Sequence, residues 1–536
     1  MFTPSAHIDT YCRDNLPSQD EWPELVFDLP ELHYPDRLNC ASALLDTAVA
    51  GYGRDRPCLI TSDDSWTYGD LLDRANQIAR VLTEDYGLVP GGRVLLRAPN
   101  NPWLVACWFG VVKAGGVVVT TMPLLRASEL SKLIELTRPA LALCGSTLLD
   151  ELALADPTLT TVPVGGSSTD DLTAQISAKP VSYNDVQTAA DDVVLLAPTS
   201  GTTGTPKVTM HFHRDVLAIA DTFSAQVVRP RPDDVFGGTP PLAFTFGLGG
   251  LVIFPLRVGA SVVLLAKADP DALVEAIERF AVTVLFTAPT AYKAVLKRDD
   301  LDRVKSLRRC VSAGEHLPEA VFTAFQERTG LRIINGIGGT ELLHVFISAD
   351  DDDIRPGATG RAVPGFRAEI HDANGRAVPD GTPGLLAIKG PTGCRYLADP
   401  RQREYVRHGW NMTGDTYTRD ADGYFWYHAR SDDMIVSAGY NIGAPEVEGV
   451  LDQHPDVLES AVVGVPDEDR GMIVHAAIVL QPGVAGDAAK IREIQDFVKY
   501  GAAPYKYPRS IEFVESLPRG PTGKLQRFKL RGDSAR

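Results

Sequence analysis

Ten residues, Pro198 to Lys207 (PTSGTTGTPK), crowd five hydroxyl side chains, two glycines and one lysine behind an apolar run, DDVVLLA. Gly201 and Gly204 let main-chain N–H groups close on an anion. Thr199, Ser200, Thr202, Thr203 and Thr205 add hydroxyl donors, and Lys207 adds a positive charge. That chemistry suits the wrapping of a polyphosphate. The spacing departs from a Walker loop, in which Ser or Thr follows the lysine; here Pro206 precedes Lys207 and Val208 follows it. Taken alone, the segment also reads as an ordinary polar hairpin loop.

Five more segments bear on that choice: SAGEHLP from Ser312, NGIGGTE from Asn335, GWNMTGD from Gly409, ARSDDMIVSAGYNIGAPEVE from Ala429 and PRGPTGKLQR from Pro518. Together and in this order they resemble the motifs of the adenylate-forming superfamily, which holds acyl-CoA and aryl-CoA ligases, peptide-synthetase adenylation domains and luciferases. IGGTELLH is similar to the pattern of benzoate-type CoA ligases. The N-terminal stretch DNLPSQDEWPELVFDLPELHYPDRLNCA resembles 2-aminobenzoate-CoA ligases in particular.

The resemblance implies ATP, Mg²⁺ and coenzyme A as cofactors and an aryl-CoA ligase that works through an aryl-AMP. A carboxylate oxygen must then attack the α-phosphorus, bringing two anions together, so fixed positive groups carry the catalysis. Lys524, a residue that elsewhere would be a solvated lysine in a glycine turn, is implied to bridge the carboxylate and the α-phosphate. Glu341 is implied as the Mg²⁺ ligand, since a hard cation on phosphates takes one or two carboxylates plus water. Thr340 offers its hydroxyl to the α-phosphate, and a Thr-Glu pair is also a common helix cap. Asp415 can accept from both ribose hydroxyls, and Arg430 adds a ribose or phosphate contact; for each the plain alternative is a surface salt bridge.

Adenine is expected between Gly314 and Glu315 on one side and Asn335, Gly336, Ile337, Gly338 and Gly339 on the other. Ile337 stands where many family members carry a tyrosine. For the acid, PPLAFTFGLGG points first to Phe244 as an aromatic wall, then to Phe246, Gly314, Ile337, Gly338 and His344. Gly439 would pass a pantetheine arm and Asp432 would be the hinge of a rotating small domain. Ala429 replaces the usual glycine before the hinge arginine. Two other readings share these residues: an adenylating enzyme that loads a carrier-protein phosphopantetheine, and a non-catalytic nucleotide-binding protein.

The elements that must position these groups alternate. Leu71, Ala75, Ile78 and Leu82 recur at helical spacing behind a Thr67 cap, and RVLLRAP, NPWLVACWFGVVKAG and VVVTTM follow as strand, helix and strand. This is α/β grammar with parallel strands joined by crossovers. The polar stretch 165–180 reads as a loop. After Arg430 the texture changes to short strands and helices, so the expectation is a large N-terminal α/β domain, 1–431, and a small mobile C-terminal α+β domain, 432–536.

Bulk properties restrict the partners. A chain of 536 residues exceeds one core, and a net charge of −17 opposes general nucleic-acid or anionic-membrane binding. From Tyr505 to Arg531 the chain carries a local net of +5. Seven scattered cysteines read as reduced thiols in a cytoplasmic protein. Neither a signal peptide nor a membrane span is expected. The acidic run Asp350–Asp353 reads as a solvated turn, and a monomer or homodimer is expected.

Overall fold

The computed structural model describes residues 3–199, 206–267, 269–430, 433–437, 440–467, 470–502, 506–520, 523 and 525–532. The chain divides into two compact units, Met1–Ala368 with Ile388–Asn411, and Glu369–Ala387 with Met412–Arg536.

The first unit is built on two large sheets. In one, six strands lie in the order Thr161–Val164, Leu141–Gly145, Arg93–Arg97, Val117–Thr120, Val193–Thr199 and Lys207–Phe212. All its pairs are parallel except the last. Arg93–Arg97 and Val117–Thr120 are buried at every position, as strands covered on both faces are. The crossover helix Pro102–Lys113 between them starts where Asn101 accepts from the Leu104 N–H at 2.8 Å. Lys113, which interrupts its apolar run, is fully buried against Asp46 at 2.6 Å and Asp185 at 2.9 Å. Thr67 caps Tyr68–Arg80 reciprocally with Asp70, as its position predicts.

The second sheet has nine strands, with Ser261–Val263, Val235–Gly238, Val284–Thr287, Arg309–Ser312 and Ile333–Gly338 parallel neighbours at its centre. The segments SAGE and GGTE therefore leave the carboxyl ends of two adjacent parallel strands, the edge where open α/β sheets bind ligands. The parallel α/β architecture expected from the alternation is present.

The second unit contains the hairpin in which Asp415–Arg419, the end of the strand Trp410–Arg419, pairs with Phe425–Arg430, and a three-stranded sheet of Val457–Asp467, Gly471–Leu480 and Ser510–Phe513. Helices Ala444–Leu451 and Ala488–Gly501 supply Val447, Leu451, Ile494 and Val498 to its own core.

One sequence expectation needs correction. The stretch 165–180 is not all loop: Asp171 accepts from the Thr173 N–H at 2.9 Å and caps a short helix, Leu172–Ile176. The acidic run is a largely solvated turn, as expected: Asp351, Asp352 and Asp353 are exposed, Asp351 also meeting Arg309, and only Asp350 is half-buried, paired with Arg229 at 3.0 Å. Among the described residues no group of three or more His, Cys, Asp or Glu is placed to hold a metal. No described helix is long and apolar enough to cross a membrane.

Candidate active site

The phosphate-loop candidate hangs from an antiparallel stem in which Thr199 pairs with Lys207 and Pro198 with Val208. Ser200, Gly201, Thr202, Thr203, Gly204 and Thr205 lie outside the described residues. The stem delivers Lys207 to a polar cluster. Its ammonium donates to the Tyr396 hydroxyl at 2.8 Å, and that hydroxyl donates to Glu341 Oε1 at 2.7 Å. Lys207 Nζ and Glu341 Oε1 are 4.0 Å apart, and the ammonium stands 4.7 Å from the Tyr396 ring centroid. The Tyr405 ring meets Tyr396 edge-on.

Tyr396 is the residue that sequence reasoning missed. It lies in a stretch, GCRYLADP, without motif signal, and a bridge pairs it with Thr209 on the strand that carries Lys207. Burial and the Glu341 carboxylate raise its phenol far above the usual range, so it stays neutral and able to donate.

Beneath this cluster lies a buried charge pair. Arg395 donates to Asp215 Oδ2 at 2.8 Å, and both side chains are fully buried. The guanidinium also lies over Phe212, 4.0 Å from the ring centroid. His211, 3.9 Å from Asp215, is held neutral by burial, which lowers it to about 4.

Thr340 and Glu341 open a single 3-10 turn, Thr340–Leu342. Leu343 then adopts φ +70°, a left-handed conformation that a bulky residue takes only under constraint, and its side chain is completely buried. The chain reverses there and returns antiparallel as Val345–Ser348. Gly338 sits inside the reversal, where a Cβ would come 2.7 Å from the His344 carbonyl oxygen. A side chain at that position has no room.

Past the reversal His344 enters an aromatic cage. Its ring centroid lies 4.6 Å from Phe254, 5.4 Å from Phe223 and 5.5 Å from Phe246. Burial lowers its imidazole to about 3. Gly249 supplies the remaining side, since a Cβ there would stand 2.3 Å from His344 Cδ2. Phe246 and His344 are thus brought together, while Phe244 is a half-buried residue at the start of the helix Thr245–Leu248. Gly314, at φ +89°, is exposed just past Arg309–Ser312, with Glu315 next to it. Asn335, Gly336 and Ile337 lie on Ile333–Gly338, and Ser348 donates to the Asn335 carbonyl at 2.6 Å.

In the second unit Asp415 and Arg430 are cross-strand partners, with Arg430 Nη1 3.6 Å from Asp415 Oδ1. The Lys524 loop has a closed stem: Arg519 bridges Leu525, and the Gln526 N–H donates to the Pro518 carbonyl at 2.8 Å. Arg527 anchors it, donating to both Glu448 oxygens at 2.8 and 2.7 Å. Lys524, Asp432 and Gly439 lie outside the described residues.

An antiparallel stem ending at Lys207, a carboxylate linked to that lysine through one phenol, and open parallel strand ends are the geometry of an α/β enzyme. The family model "AMP-binding enzyme" matches residues 45–396 and "AMP-binding enzyme C-terminal domain" matches 446–524, so the chain belongs to the AMP-binding enzyme family. It is 36% identical to a benzoate–CoA ligase of Thauera aromatica over 516 residues, covering 94% of this chain and 97% of the relative. With a 3-hydroxybenzoate–CoA ligase of Aromatoleum sp. (strain CIB) it shares 32% identity, over 92% of this chain and 96% of the other. The solved structure of the anthranilate CoA ligase AuaEII in complex with anthranoyl-AMP superposes with a TM-score of 0.88 at 35% identity, covering 94% of this chain and 99% of that one. The chain is an adenylate-forming enzyme, an AMP-forming acid–thiol ligase, as its six motifs imply.

Proposed function

We propose that this enzyme is an ATP- and Mg²⁺-dependent aryl-acid CoA ligase, with a benzoate-like acid as substrate and 2-aminobenzoate first among candidates. The observation that carries the reading is one turn of chain. Glu341 stands in a polar cluster fit for phosphates and a cation, and His344, three residues on, lies in an aromatic cage fit to back a flat ring. Similarity to benzoate and 3-hydroxybenzoate CoA ligases, and to an anthranilate CoA ligase solved with anthranoyl-AMP, favours the aryl class.

The reaction on this reading has two halves. A carboxylate oxygen attacks the α-phosphorus of ATP and pyrophosphate leaves, giving an aryl-AMP. A thiol then attacks its carbonyl carbon and AMP leaves, giving the thioester. Lys207 and the 199–205 loop would hold phosphate oxygens, Thr340 the α-phosphate and Asp415 the ribose, while Lys524 would bridge the two anions. The Mg²⁺ would sit on Glu341, whose partly exposed carboxylate accepts from the neutral Tyr396 hydroxyl and faces the Lys207 ammonium 4.0 Å away. A single carboxylate with water and phosphate oxygens suits Mg²⁺, and that ion would spread the charge of the phosphates. Phe246, His344, Phe244, Ile337 and Gly338 would line the acid. A hinge at Asp432 and passage of pantetheine at Gly439 complete the reading.

The test is CoA-thioester formation across benzoate, 2-aminobenzoate, salicylate, cyclohexanecarboxylate and octanoate, with ATP and Mg²⁺. Selective turnover of one aryl acid is the expected result. Pyrophosphate release without thioester would transfer the acyl group to a carrier protein instead, and equal turnover of octanoate would remove the aryl assignment.

A further inference from the structure

Lys207 and Glu341 carry opposite charges at the rim of the site, with side chains 21% and 14% exposed, yet they do not touch. Their 4.0 Å separation exceeds the roughly 2.7–2.9 Å of a direct ammonium–carboxylate bond. What fills the gap is the Tyr396 hydroxyl, which accepts from one at 2.8 Å and donates to the other at 2.7 Å.

The chain that carries the phenol is pinned. Tyr396 is completely buried, and the backbone on both sides of it is pinned to the strand that carries Lys207: Met210 donates to the Arg395 carbonyl at 2.8 Å and Leu397 to the Val208 carbonyl at 2.9 Å. The Tyr396 N–H itself donates to Gln402 at 2.9 Å. The neighbouring Arg395 is locked by Asp215, so the segment is fixed from below as well.

Without the hydroxyl the two charges would close into contact. Coulomb's law at the effective dielectric of a protein surface makes the closed pair favoured by roughly tenfold over the spaced one. A closed pair satisfies itself: the ammonium is spent on the carboxylate and neither group is free for phosphate or cation. We propose that Tyr396 is a positioning residue that keeps Lys207 and Glu341 from neutralising each other, so that both are available when ATP and its cation arrive. The inference rests on the ligase reading above and deepens it.

Tyr396→Phe tests it, because the variant keeps the buried ring and loses one oxygen. Mg²⁺-ATP affinity is measured by calorimetry, and ATP–pyrophosphate exchange gives kcat and KM. The expected result is a KM for Mg²⁺-ATP and a calorimetric Kd both raised roughly tenfold, with kcat within about twofold of wild type. In a Lys207→Ala background the same change should do nothing further, since no ion pair remains to close. An unchanged Kd, a fall in kcat at constant KM, or the full effect persisting without Lys207 would each overturn the proposal. If wild type exchanges no pyrophosphate with any acid, it is the ligase reading that fails, and the calorimetric comparison still decides the role of Tyr396.

Discussion

Glu341 and His344 are three residues apart and have opposite surroundings. Glu341 keeps company with a lysine and a phenol and stays partly open to solvent, whereas His344 is sealed among Phe223, Phe246 and Phe254 and is neutral. The strained backbone at Leu343 turns one environment into the other within a single reversal. The lesson is a division of labour along one short segment. On the proposed function, charge is gathered where it would be lent to a ligand and stripped away where the site would only have to recognise a shape.

The largest effects should come from the charged end. Lys524→Ala should reduce adenylation by about 10²–10³-fold or more, by analogy with losing one preorganised donor, while aryl-acid binding measured by competition stays intact. Under the same end, Asp215→Asn leaves the Arg395 guanidinium buried beside a neutral amide. Breaking such a pair costs about 3–5 kcal/mol, to be read as a lowered midpoint in urea unfolding. A change below about 1 kcal/mol would mean that Arg395 finds another partner.

Smaller effects sharpen the apolar end. Burial lowers His344 to about 3, and His211 to about 4, from an ordinary value of 6.5. The unfolded chain therefore takes up protons below pH 6.5 that the folded chain refuses. Stability is fully present above that pH and falls as pH drops towards 4, by up to about 1.4 kcal/mol per pH unit for each histidine. His344→Leu should flatten the slope between pH 6.5 and 4 by one proton, and an unaltered slope would mean that His344 titrates in the fold. Smallest of all, Asp352→Asn, at a fully exposed position of the acidic run, should shift stability by no more than about 0.5 kcal/mol.

Much of this arrangement was legible in the sequence, and the reasons are local. Lys207, Glu341 and Asp415 stand in motifs whose order alone implied the family, and the alternation around Arg93–Arg97 and Pro102–Lys113 carried the parallel sheet. Tyr396 was hidden because its role comes from a pairing across 187 residues with Thr209, which no spacing rule reaches. The aromatic cage was half visible: His344 and Phe246 were named, but Phe223 and Phe254 arrive on other helical segments. The short helix after Asp171 was masked by the polar composition around it, although a capping aspartate before Leu172 and Ile176 was a signal for one turn or more. Leu343 gives no sequence sign of its positive φ, because tertiary packing imposes it.

The division of labour is tested most directly by measuring kcat/KM for Mg²⁺-ATP and for a panel of aryl acids in Glu341→Gln and His344→Leu side by side. Glu341→Gln should lower the Mg²⁺-ATP parameter for every acid alike, and His344→Leu should change the ratio between acids by about 10- to 200-fold with the Mg²⁺-ATP affinity unmoved. If both variants disturb nucleotide and acid together, the two ends of the turn do not act separately and the account is wrong.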